Sequence, residues 1–253
     1  MSTAVLVSGG LDSAVLLAEE ADRGEIQPIY VSVGVAWEND ERDALRCFLA
    51  ASRIPRLRPL VSLKVDMSDV YPPAHWAMSG RAPGYHTPDE DVYLAGRNIV
   101  LLGKAGIFAA GTDIHRLVLG TLDRNPFPDA TPSFRSAMAS ALSLGLAHTI
   151  DIAAPYADLR KSEVIRRGVA RSLPLDLTLS CMSPKRRGRV HFSDPKSQNF
   201  EQKAQEPLQN VPTENGTRPL HCGMCSKCRE RHDAFLEARI PDPTDYADRA
   251  YTS

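Results

Sequence analysis

Residues 4–18 read AVLVSGGLDSAVLLA, and three local signals follow one another in this run. Residues 4–7 are all apolar and predict a buried strand, two glycines predict a tight turn, and residues 14–18 predict an apolar helix. A strand that turns directly into a helix aims the unpaired N–H groups of the helix at an anion. Gly9 and Gly10 allow positive φ and close approach of a ligand, while Ser8 and Ser13 add hydroxyl donors. We therefore predict a phosphate-binding site formed by Val7, Ser8, Gly9, Gly10, Leu11, Asp12 and Ser13.

The spacing in residues 8–13, which we call the phosphate loop, excludes two common nucleotide-binding motifs. It has neither the Gly-x-x-x-x-Gly-Lys-Ser/Thr order of P-loop enzymes nor the Gly-x-Gly-x-x-Gly order of dinucleotide folds. Asp12 is a carboxylate and does not donate to phosphate, so we expect it to cap the helix, to orient the turn or to hold Mg²⁺. A plain strand-to-helix turn without a ligand is the alternative.

The composition indicates a globular chain with a sizeable core. The chain has 253 residues, 43% of them hydrophobic, and a formal net charge of −1. This length predicts one large domain with a small appendage, and the charge argues against a general attraction to nucleic acids or membranes. No run reaches the roughly 18 apolar residues of a membrane span, and the early first strand leaves no room for a signal peptide, so we expect a cytoplasmic protein. In that compartment the five cysteines are expected to be thiols or metal ligands instead of disulfides.

Strand and helix patterns alternate along the rest of the chain. Apolar runs predict strands at 26–33, 59–65, 115–120 and 149–153, and helical patterns occur at 36–52, 93–111, 133–146 and 161–172. This alternation predicts an α/β fold with a Rossmann-like parallel sheet. In the helix at 36–52 we expect Trp37 and Leu45 on the apolar side. Glu38 and Glu41 are expected away from that side, and Ser133 is the expected N-cap of a later helix.

Residues 71–91 contain four prolines and two glycines, which argues against a long regular element. Loops of more than about 12 residues are uncommon unless they serve a function or lack order. We expect a lid or substrate loop here, and a linker without a function is the alternative. The reason is a concentration of ring side chains suited to stacking and hydrogen bonding: Tyr71, His75, Trp76, Tyr85 and His86.

Two cations are expected at helix N-termini, which is the end that repels positive charge. Arg97 stands near the start of the helical pattern at 93–111, and Lys161 begins the one at 161–172. An anion bound nearby would explain both positions, with a solvated surface lysine as the alternative for Lys161. The strand at 115–120 leads into a polar loop, and ligands of parallel sheets bind beyond the carboxyl ends of strands. This loop carries Asp123, Arg124, Asn125 and Asp129.

Cys222, Cys225 and Cys228 follow one another at a spacing of three, and Cys181 is available as a fourth ligand. Four thiolates suit a closed tetrahedral zinc site, which is structural in type. An iron–sulfur cluster is the alternative occupant, and a disulfide framework is the third option. The helical pattern at 229–240 is expected to pack this module on the main domain.

A segment of 40 residues separates Cys181 from Cys222. It contains five prolines, few apolar residues and the basic run KRRGR at 185–189. We predict an insertion at 183–219. It is either a solvated segment without fixed structure or a docking segment for an acidic protein or a nucleic acid.

Several pieces of the sequence occur in the order and spacing of one enzyme family. They are SGGLDS at 8–13, LAGRN at 94–98, Gly120 with FPD at 127–129, DLRKSE at 158–163, and LTLSC at 177–181 before CGMCSKCR at 222–229. The first piece alone resembles the pyrophosphate loop of N-type ATP pyrophosphatases, and the whole set resembles the 7-cyano-7-deazaguanine synthases. The resemblance implies a Rossmann-like ATP pyrophosphatase domain, expected at 1–175, and a zinc-binding C-terminal module, expected at 176–253, in a homodimer.

The resemblance also implies a carbon–nitrogen ligase of queuosine biosynthesis that uses ATP, Mg²⁺ and Zn²⁺. ATP would adenylate the carboxylate of 7-carboxy-7-deazaguanine, and ammonia would convert it through the amide to the nitrile, 7-cyano-7-deazaguanine (preQ0). Cations and N–H donors must bring these two anions together. The implied catalytic residues are Asp12, Ser13, Arg97 and Lys161, the last also in the ATP site. The implied substrate-binding residues are Arg97, Asn98, Asp123, Phe127 and Asp129.

The sequence departs from typical members of this family around the expected substrate. VGVAW stands at 33–37 in place of Tyr-Gly-Gln and basic residues, Ala130 and Thr131 replace Cys-Arg, Leu179 replaces a tryptophan, and the spacing between Cys181 and Cys222 is longer. Three alternatives therefore stay open. They are amide transfer to an amine of a protein or another partner, a tRNA thiolase that uses Cys47 and the basic insertion, and a nucleotide-binding scaffold without activity.

Overall fold

A five-stranded sheet forms the centre of the fold, and all of its paired strands run parallel. The computed structural model describes residues 2–123, 125–185 and 219–251. The strands are β1 (Thr3–Leu6), β2 (Ile26–Ser32), β3 (Val61–Lys64), β4 (Arg116–Val118) and β5 (Asp151–Ala153), in the spatial order β3-β2-β1-β4-β5. The expected α/β fold with a Rossmann-like parallel sheet is confirmed. The strand order reverses at β1, which is where ligands of open parallel sheets bind, and the phosphate loop directly follows this strand.

Helices cover both faces of the sheet. They are α1 (Leu11–Ala21), α2 (Glu38–Ala51), α3 (Trp76–Ser79), α4 (Arg97–Ala110), α5 (Pro132–Leu146), α6 (Lys161–Ala170) and α7 (Ser226–Ala238). Side chains alternate along a strand, so β1 supplies both faces. Ala4 packs with residues of α4 and α5, whereas Val5 packs with residues of α1, α6 and α7. Each fully buried leucine of these cores, such as Leu16, contributes roughly 1.5–3 kcal/mol.

A third apolar cluster joins the C-terminal part of the chain to the main domain. It combines Trp37 and Tyr71 with Leu179 and the clustered cysteines. Beside it, β6 (Leu220–His221) and β7 (Asp245–Tyr246) form a small parallel pair. The fully buried Arg231 strengthens the junction, because its guanidinium donates to Thr178 Oγ1, Ser180 Oγ, the Leu175 carbonyl and Thr244 Oγ1. The C-terminal part is therefore continuous with the core of the sheet domain.

Two local expectations are wrong. Glu38 and Glu41 are buried, although the helical pattern placed them away from the apolar side. Donors from the end of β2 and from Trp37 satisfy their carboxylates, so burial does not leave them unpaired. The N-cap of α5 is Thr131 instead of Ser133, because Thr131 Oγ1 accepts from the Phe134 N–H and Pro132 occupies the first helical position.

The long loop at 71–91 has no long regular element, as expected. It contains α3 and a short 3₁₀ turn at Asp89–Val92. Most of the insertion at 183–219 lies outside the described residues, and so does Arg124. The division at residue 175 stays a prediction. In the described ranges no helix is long and apolar enough to cross a membrane.

Candidate active site

A cavity of about 610 Å³ opens at the carboxyl edge of the sheet. Its walls come from the phosphate loop, the start of α4, the loop after β4, the start of α6 and α7. Except for Gly9, every described residue that the sequence predicted for the nucleotide or the substrate lines it: Val7, Ser8, Gly10, Leu11, Asp12, Ser13, Arg97, Asn98, Asp123, Phe127, Asp129 and Lys161. The structure therefore brings the two predicted groups of residues together in one cavity.

The phosphate loop is held by hydrogen bonds within itself. Ser8 N–H donates to Ser13 Oγ over 3.2 Å, and Ser13 Oγ donates to the Gly10 carbonyl over 3.1 Å. Gly9 has a φ of +74°, and a Cβ there would lie 2.5 Å from the Glu41 carbonyl oxygen. Gly9 therefore packs against the backbone of Glu41, and only glycine fits at this position. Gly10 is the N-cap of α1 and has no side chain to satisfy the first N–H groups of the helix, which suits them to an anion.

Lys161 lies at the centre of an ion cluster. Its Nζ is 2.6 Å from Asp12 Oδ2 and 2.9 Å from Glu230 Oε1, and its side chain is 11% exposed. The alternative of a solvated surface lysine is therefore wrong. Burial opposes the charge, but the Asp12 and Glu230 carboxylates raise the pKa of Lys161 above its usual range.

Glu230 was not found from the sequence, and it belongs to the same ion cluster. Its Oε2 lies 2.6 Å from Lys227 Nζ. Burial alone would raise the pKa of Glu230, but the ammonium groups of Lys161 and Lys227 hold it well below its usual range. Glu230 is the second residue after Cys228, on the helix expected to pack against the main domain. This closeness to the cysteines was the sequence feature that could have identified it.

The start of α4 carries the second predicted group. Gly96 has a φ of +76° and turns the chain into the helix. Asn98 N–H donates to Asp129 Oδ2 over 3.0 Å, and Asn98 Nδ2 donates to the Asp129 carbonyl and to Asp129 Oδ1. Burial raises the pKa of Asp129 against these hydrogen bonds. Arg97 makes no salt bridge within 4.0 Å to any residue that the structure describes, and its buried Nε has no partner there. A cation of this kind is available to an anionic ligand.

Glu41 is a second carboxylate of the cavity that the sequence analysis missed. Tyr30 Oη donates to its Oε2 over 3.0 Å, and Trp37 Nε1 donates to its Oε1 over 2.9 Å. Burial raises the pKa of Glu41 to about 7, with the Arg97 charge acting in the opposite direction. The helical periodicity of the sequence did not identify Glu41, because a periodicity argument assigns charged residues to the exposed side of a helix.

The four-cysteine cluster consists of Cys181, Cys222, Cys225 and Cys228, all buried free thiols. Three of their Sγ–Sγ distances are 3.5, 3.8 and 3.9 Å. A tetrahedral site with Zn–S bonds of about 2.3 Å gives edges of roughly 3.8 Å. Backbone N–H groups of Cys222 and Ser183 donate to Cys181 Sγ, as expected around thiolates. The cluster therefore fits zinc, and its sulfur spacing is too long for disulfides.

Arg229 connects α7 to the long loop. It donates to the carbonyls of Tyr85 and Thr87 over 2.9 and 3.1 Å and to Asp89 Oδ1 over 3.1 Å. Trp76 and Asp89 of this loop line the cavity. The other predicted ring residues serve elsewhere: Tyr85 stacks on Tyr251, and Tyr71 Oη donates to the Ala95 carbonyl. Whether the loop is a lid or a substrate loop stays a prediction.

We expect the pH dependence of stability to differ between the wild-type protein and Glu41→Gln. With a pKa raised from 4.5 to about 7, folded Glu41 keeps a proton that the unfolded chain has lost between these values. Stability contributed by this group therefore falls as pH rises through this range, by at most about 1.4 kcal/mol per pH unit. Urea unfolding at several pH values measures the difference. Glu90→Gln, at an exposed position, is the control, and an equal slope for wild type and Glu41→Gln would contradict the assignment.

Comparisons with known proteins identify the family of this chain. The family model described as "Queuosine biosynthesis protein QueC" matches residues 2–193. A 7-cyano-7-deazaguanine synthase of Azoarcus sp. is 30% identical, with 97% of this chain and 96% of the relative covered. Proteins of the same name from Methanothrix thermoacetophila and Pseudomonas aeruginosa are 28% and 27% identical, with 95% and 96% of this chain and 96% of each relative covered.

Among solved structures, one described as a predicted subunit of tRNA methyltransferase from Methanocaldococcus jannaschii is similar over 68% of this chain and 74% of that chain. The TM-score is 0.43 and the sequence identity 18%. The family model covers most of the sequence, and relatives align over nearly their full length. The chain belongs to the QueC family of queuosine biosynthesis proteins.

Proposed function

We propose that this protein is an ATP-dependent ligase that converts 7-carboxy-7-deazaguanine and ammonia, through the amide, into 7-cyano-7-deazaguanine. The observation that carries the proposal is a single cavity in which the phosphate loop lies with an unpaired cation and an oriented carboxylate. Arg97 has no ion pair among the described residues, and Asp129 is fixed by Asn98. This combination suits a ligand with a phosphate chain and a second ligand with both a carboxylate and N–H donors.

Binding of ATP would use the phosphate loop. The N–H groups at the start of α1 and the Ser8 and Ser13 hydroxyls would bind phosphate oxygens. Lys161, which already pairs with Asp12 and Glu230, would add a smaller share of the attraction. Asp12 Oδ1 is buried without a partner among the described residues, so Asp12 is the residue suited to hold Mg²⁺. Mg²⁺ would supply charge neutralisation on the phosphates.

Binding of the deazaguanine would use the other side of the cavity. Arg97 would attract the carboxylate, and Asp129 would accept from the guanine-like N–H edge, with Asn98 holding Asp129 in place. Asp123 and Phe127 would complete the pocket. A carboxylate oxygen brought to the α-phosphorus displaces pyrophosphate and forms the acyl adenylate. The ammonia nitrogen then attacks the acyl carbon, loses a proton and forms the amide, and AMP leaves with the electrons of the broken C–O bond. For the nitrile, a second ATP would adenylate the amide oxygen with release of pyrophosphate. That oxygen would leave with the second AMP while the nitrogen loses its two remaining protons.

The C-terminal module, at 176–253, would hold one structural zinc in the four-cysteine cluster and pack on the ATP pyrophosphatase domain at 1–175. The chain would act as a cytoplasmic homodimer. Support for a dimer comes from α5, none of whose residues is buried, and from the exposed apolar side chains Leu144 and Ile107. A thiolase mechanism is not favoured, because four of the five cysteines occupy one site and Cys47 is not among them.

The catalytic assignment predicts that Asp12→Ala and Ser13→Ala each lower the formation of AMP and pyrophosphate at least about a hundred-fold. Each change removes a group of the phosphate site without opening the core, so the fold should remain intact. Purified protein is supplied with Mg-ATP, 7-carboxy-7-deazaguanine and ammonia, and pyrophosphate release and product mass are measured together. Ser136→Ala, at an exposed position of α5, is the matched control. Turnover at the wild-type rate in either variant would refute the assignment.

The same assay decides the nitrogen acceptor. Nitrile formed with ammonia supports the proposed function. Adenylation that stops before the nitrile, with transfer only to an amine of a protein, favours the alternative acceptor. In that case a variant without residues 184–219 should still release pyrophosphate but lose the transfer. Full conversion to the nitrile at equal rates with and without this segment removes the alternative.

The zinc assignment predicts one zinc per chain by elemental analysis. Cys225→Ser should lose most of the metal and become poorly soluble before it loses ATP binding, because a structural thiolate site contributes to folding. Cys47→Ser, outside the four-cysteine cluster, is the control and should retain the metal. Iron with acid-labile sulfide in place of zinc would contradict the prediction and favour the thiolase alternative.

A further inference from the structure

We propose that Trp37 and Trp76, which stack on one another, form an aromatic wall of the cavity, and that the planar heteroaromatic ring of a ligand stacks on the uncovered face of Trp76. The inference rests on the proposed function, since both ATP and the deazaguanine carry such a ring. It adds two residues to that function. Trp37 lies in the segment 33–37, where this chain departs from typical family members, and Trp76 stacks on Trp37. Trp76 was named from the sequence only among the ring side chains of an expected lid or substrate loop, and neither tryptophan was among the predicted site residues.

The two indoles form a parallel, offset stack. Trp37 is the N-cap of α2, and Trp76 is the first residue of α3. Their ring planes differ by 4°, their centroids are 5.8 Å apart, and both residues line the cavity. Parallel rings at this centroid distance lie in the offset range of aromatic pairs, which leaves part of a face uncovered. Trp37 is nearly buried and Trp76 is half-buried, so Trp76 presents the accessible indole.

Hydrogen bonds on both sides hold the aromatic wall in place. Trp37 Nε1 donates to Glu41 Oε1, and the other oxygen of Glu41 accepts from Tyr30 Oη. On the other side, Ala36 N–H donates to the Ala77 carbonyl over 2.8 Å and so ties α3 to the residues before α2. Glu41 is thus a positioning residue for the indole of Trp37. A rigid aromatic platform stacks a ring at a low cost in side-chain entropy.

The wall is close to the phosphate loop. The backbone of Glu41, which fixes Trp37, touches Gly9 so closely that no Cβ fits between them. Arg97 also acts on Glu41 electrostatically. A ring on the wall would therefore lie in the same cavity as the phosphate loop and Arg97. Two ligands share the required chemistry, the adenine of the nucleotide and the deazaguanine, and the experiment distinguishes them.

The sequence provides a direct optical test, because Trp37 and Trp76 are the two tryptophans of the chain. Intrinsic tryptophan emission of the purified full-length protein is followed in two separate titrations, one with AMP and one with 7-carboxy-7-deazaguanine. Free tryptophan titrated in the same way corrects for light absorbed by each ligand. We expect saturable quenching by one of the two ligands, and its identity assigns the ring that stacks.

Matched variants distinguish the effect of aromatic stacking from the effect of side-chain size at position 76. Trp76→Ala should weaken the affinity for the quenching ligand about ten-fold or more, as removal of a base-stacking ring does. Trp76→Phe retains a ring and should change the affinity less than about three-fold, and neither variant should alter affinity for the other ligand. Isothermal titration calorimetry measures both affinities, and circular dichroism checks that the variants fold. If Trp76→Ala does not fold, Trp76→Phe and Trp76→Leu provide the same comparison.

Two results would overturn the proposal. One is unchanged emission with both ligands at concentrations that support turnover. The other is equal affinity of Trp76→Ala or Trp76→Leu and Trp76→Phe for both ligands. Nitrile formation without quenching refutes the stacking wall alone, whereas saturable quenching without any ATP-dependent product refutes the ligase and leaves the wall in place.

Discussion

The ion cluster of Lys161, Asp12 and Glu230 is the interaction on which the site most depends. A buried ammonium needs charged partners, since its desolvation alone costs several kcal/mol. Here the partners are 149 and 69 residues away in sequence, in the phosphate loop and in α7. Removing Lys161 would take the shared cation from both carboxylates, at about 3–5 kcal/mol, whereas removing Asp12 or Glu230 would leave Lys161 paired with the other carboxylate. Lys161 therefore links the phosphate loop, α6 and α7, in addition to the contacts of Arg231 and the third apolar cluster.

Helix α7 connects this ion cluster to the four-cysteine cluster and to the long loop. Successive residues of a helix point about 100° apart, so Cys228, Arg229 and Glu230 reach three different neighbours. Cys228 belongs to the four-cysteine cluster, Arg229 holds the loop at 85–89, and Glu230 pairs with Lys161. Because one turn of α7 makes all three contacts, the position of the four-cysteine cluster determines where the Glu230 carboxylate and the loop at 85–89 lie.

Local motifs allowed the sequence to predict the phosphate loop, the parallel sheet and the four cysteines, since each depends on neighbours in sequence or on a fixed spacing. The same holds for Arg97 and Lys161, whose positions at helix N-termini indicated a nearby anion. Glu41 was misplaced because its donors, Tyr30 and Trp37, become partners only once β2 and α2 pack. The pairing of Trp37 with Trp76 gave no signal, because it joins elements separated by β3 and a long irregular loop.

Arg97 and Lys161, the two cations that the sequence predicted for the cavity, differ in their carboxylate partners. Lys161 is already neutralised by two carboxylates, so N–H groups of the phosphate loop must supply much of the attraction for a phosphate chain. Arg97 has Glu41 in its surroundings, but burial raises the pKa of that carboxyl to about 7. A carboxyl with this pKa is about half protonated at pH 7, so it neutralises only part of the guanidinium charge. Arg97 makes no salt bridge to the described residues, so it would still offer positive charge to an anionic ligand, although two buried acids, Glu41 and Asp129, lie near it.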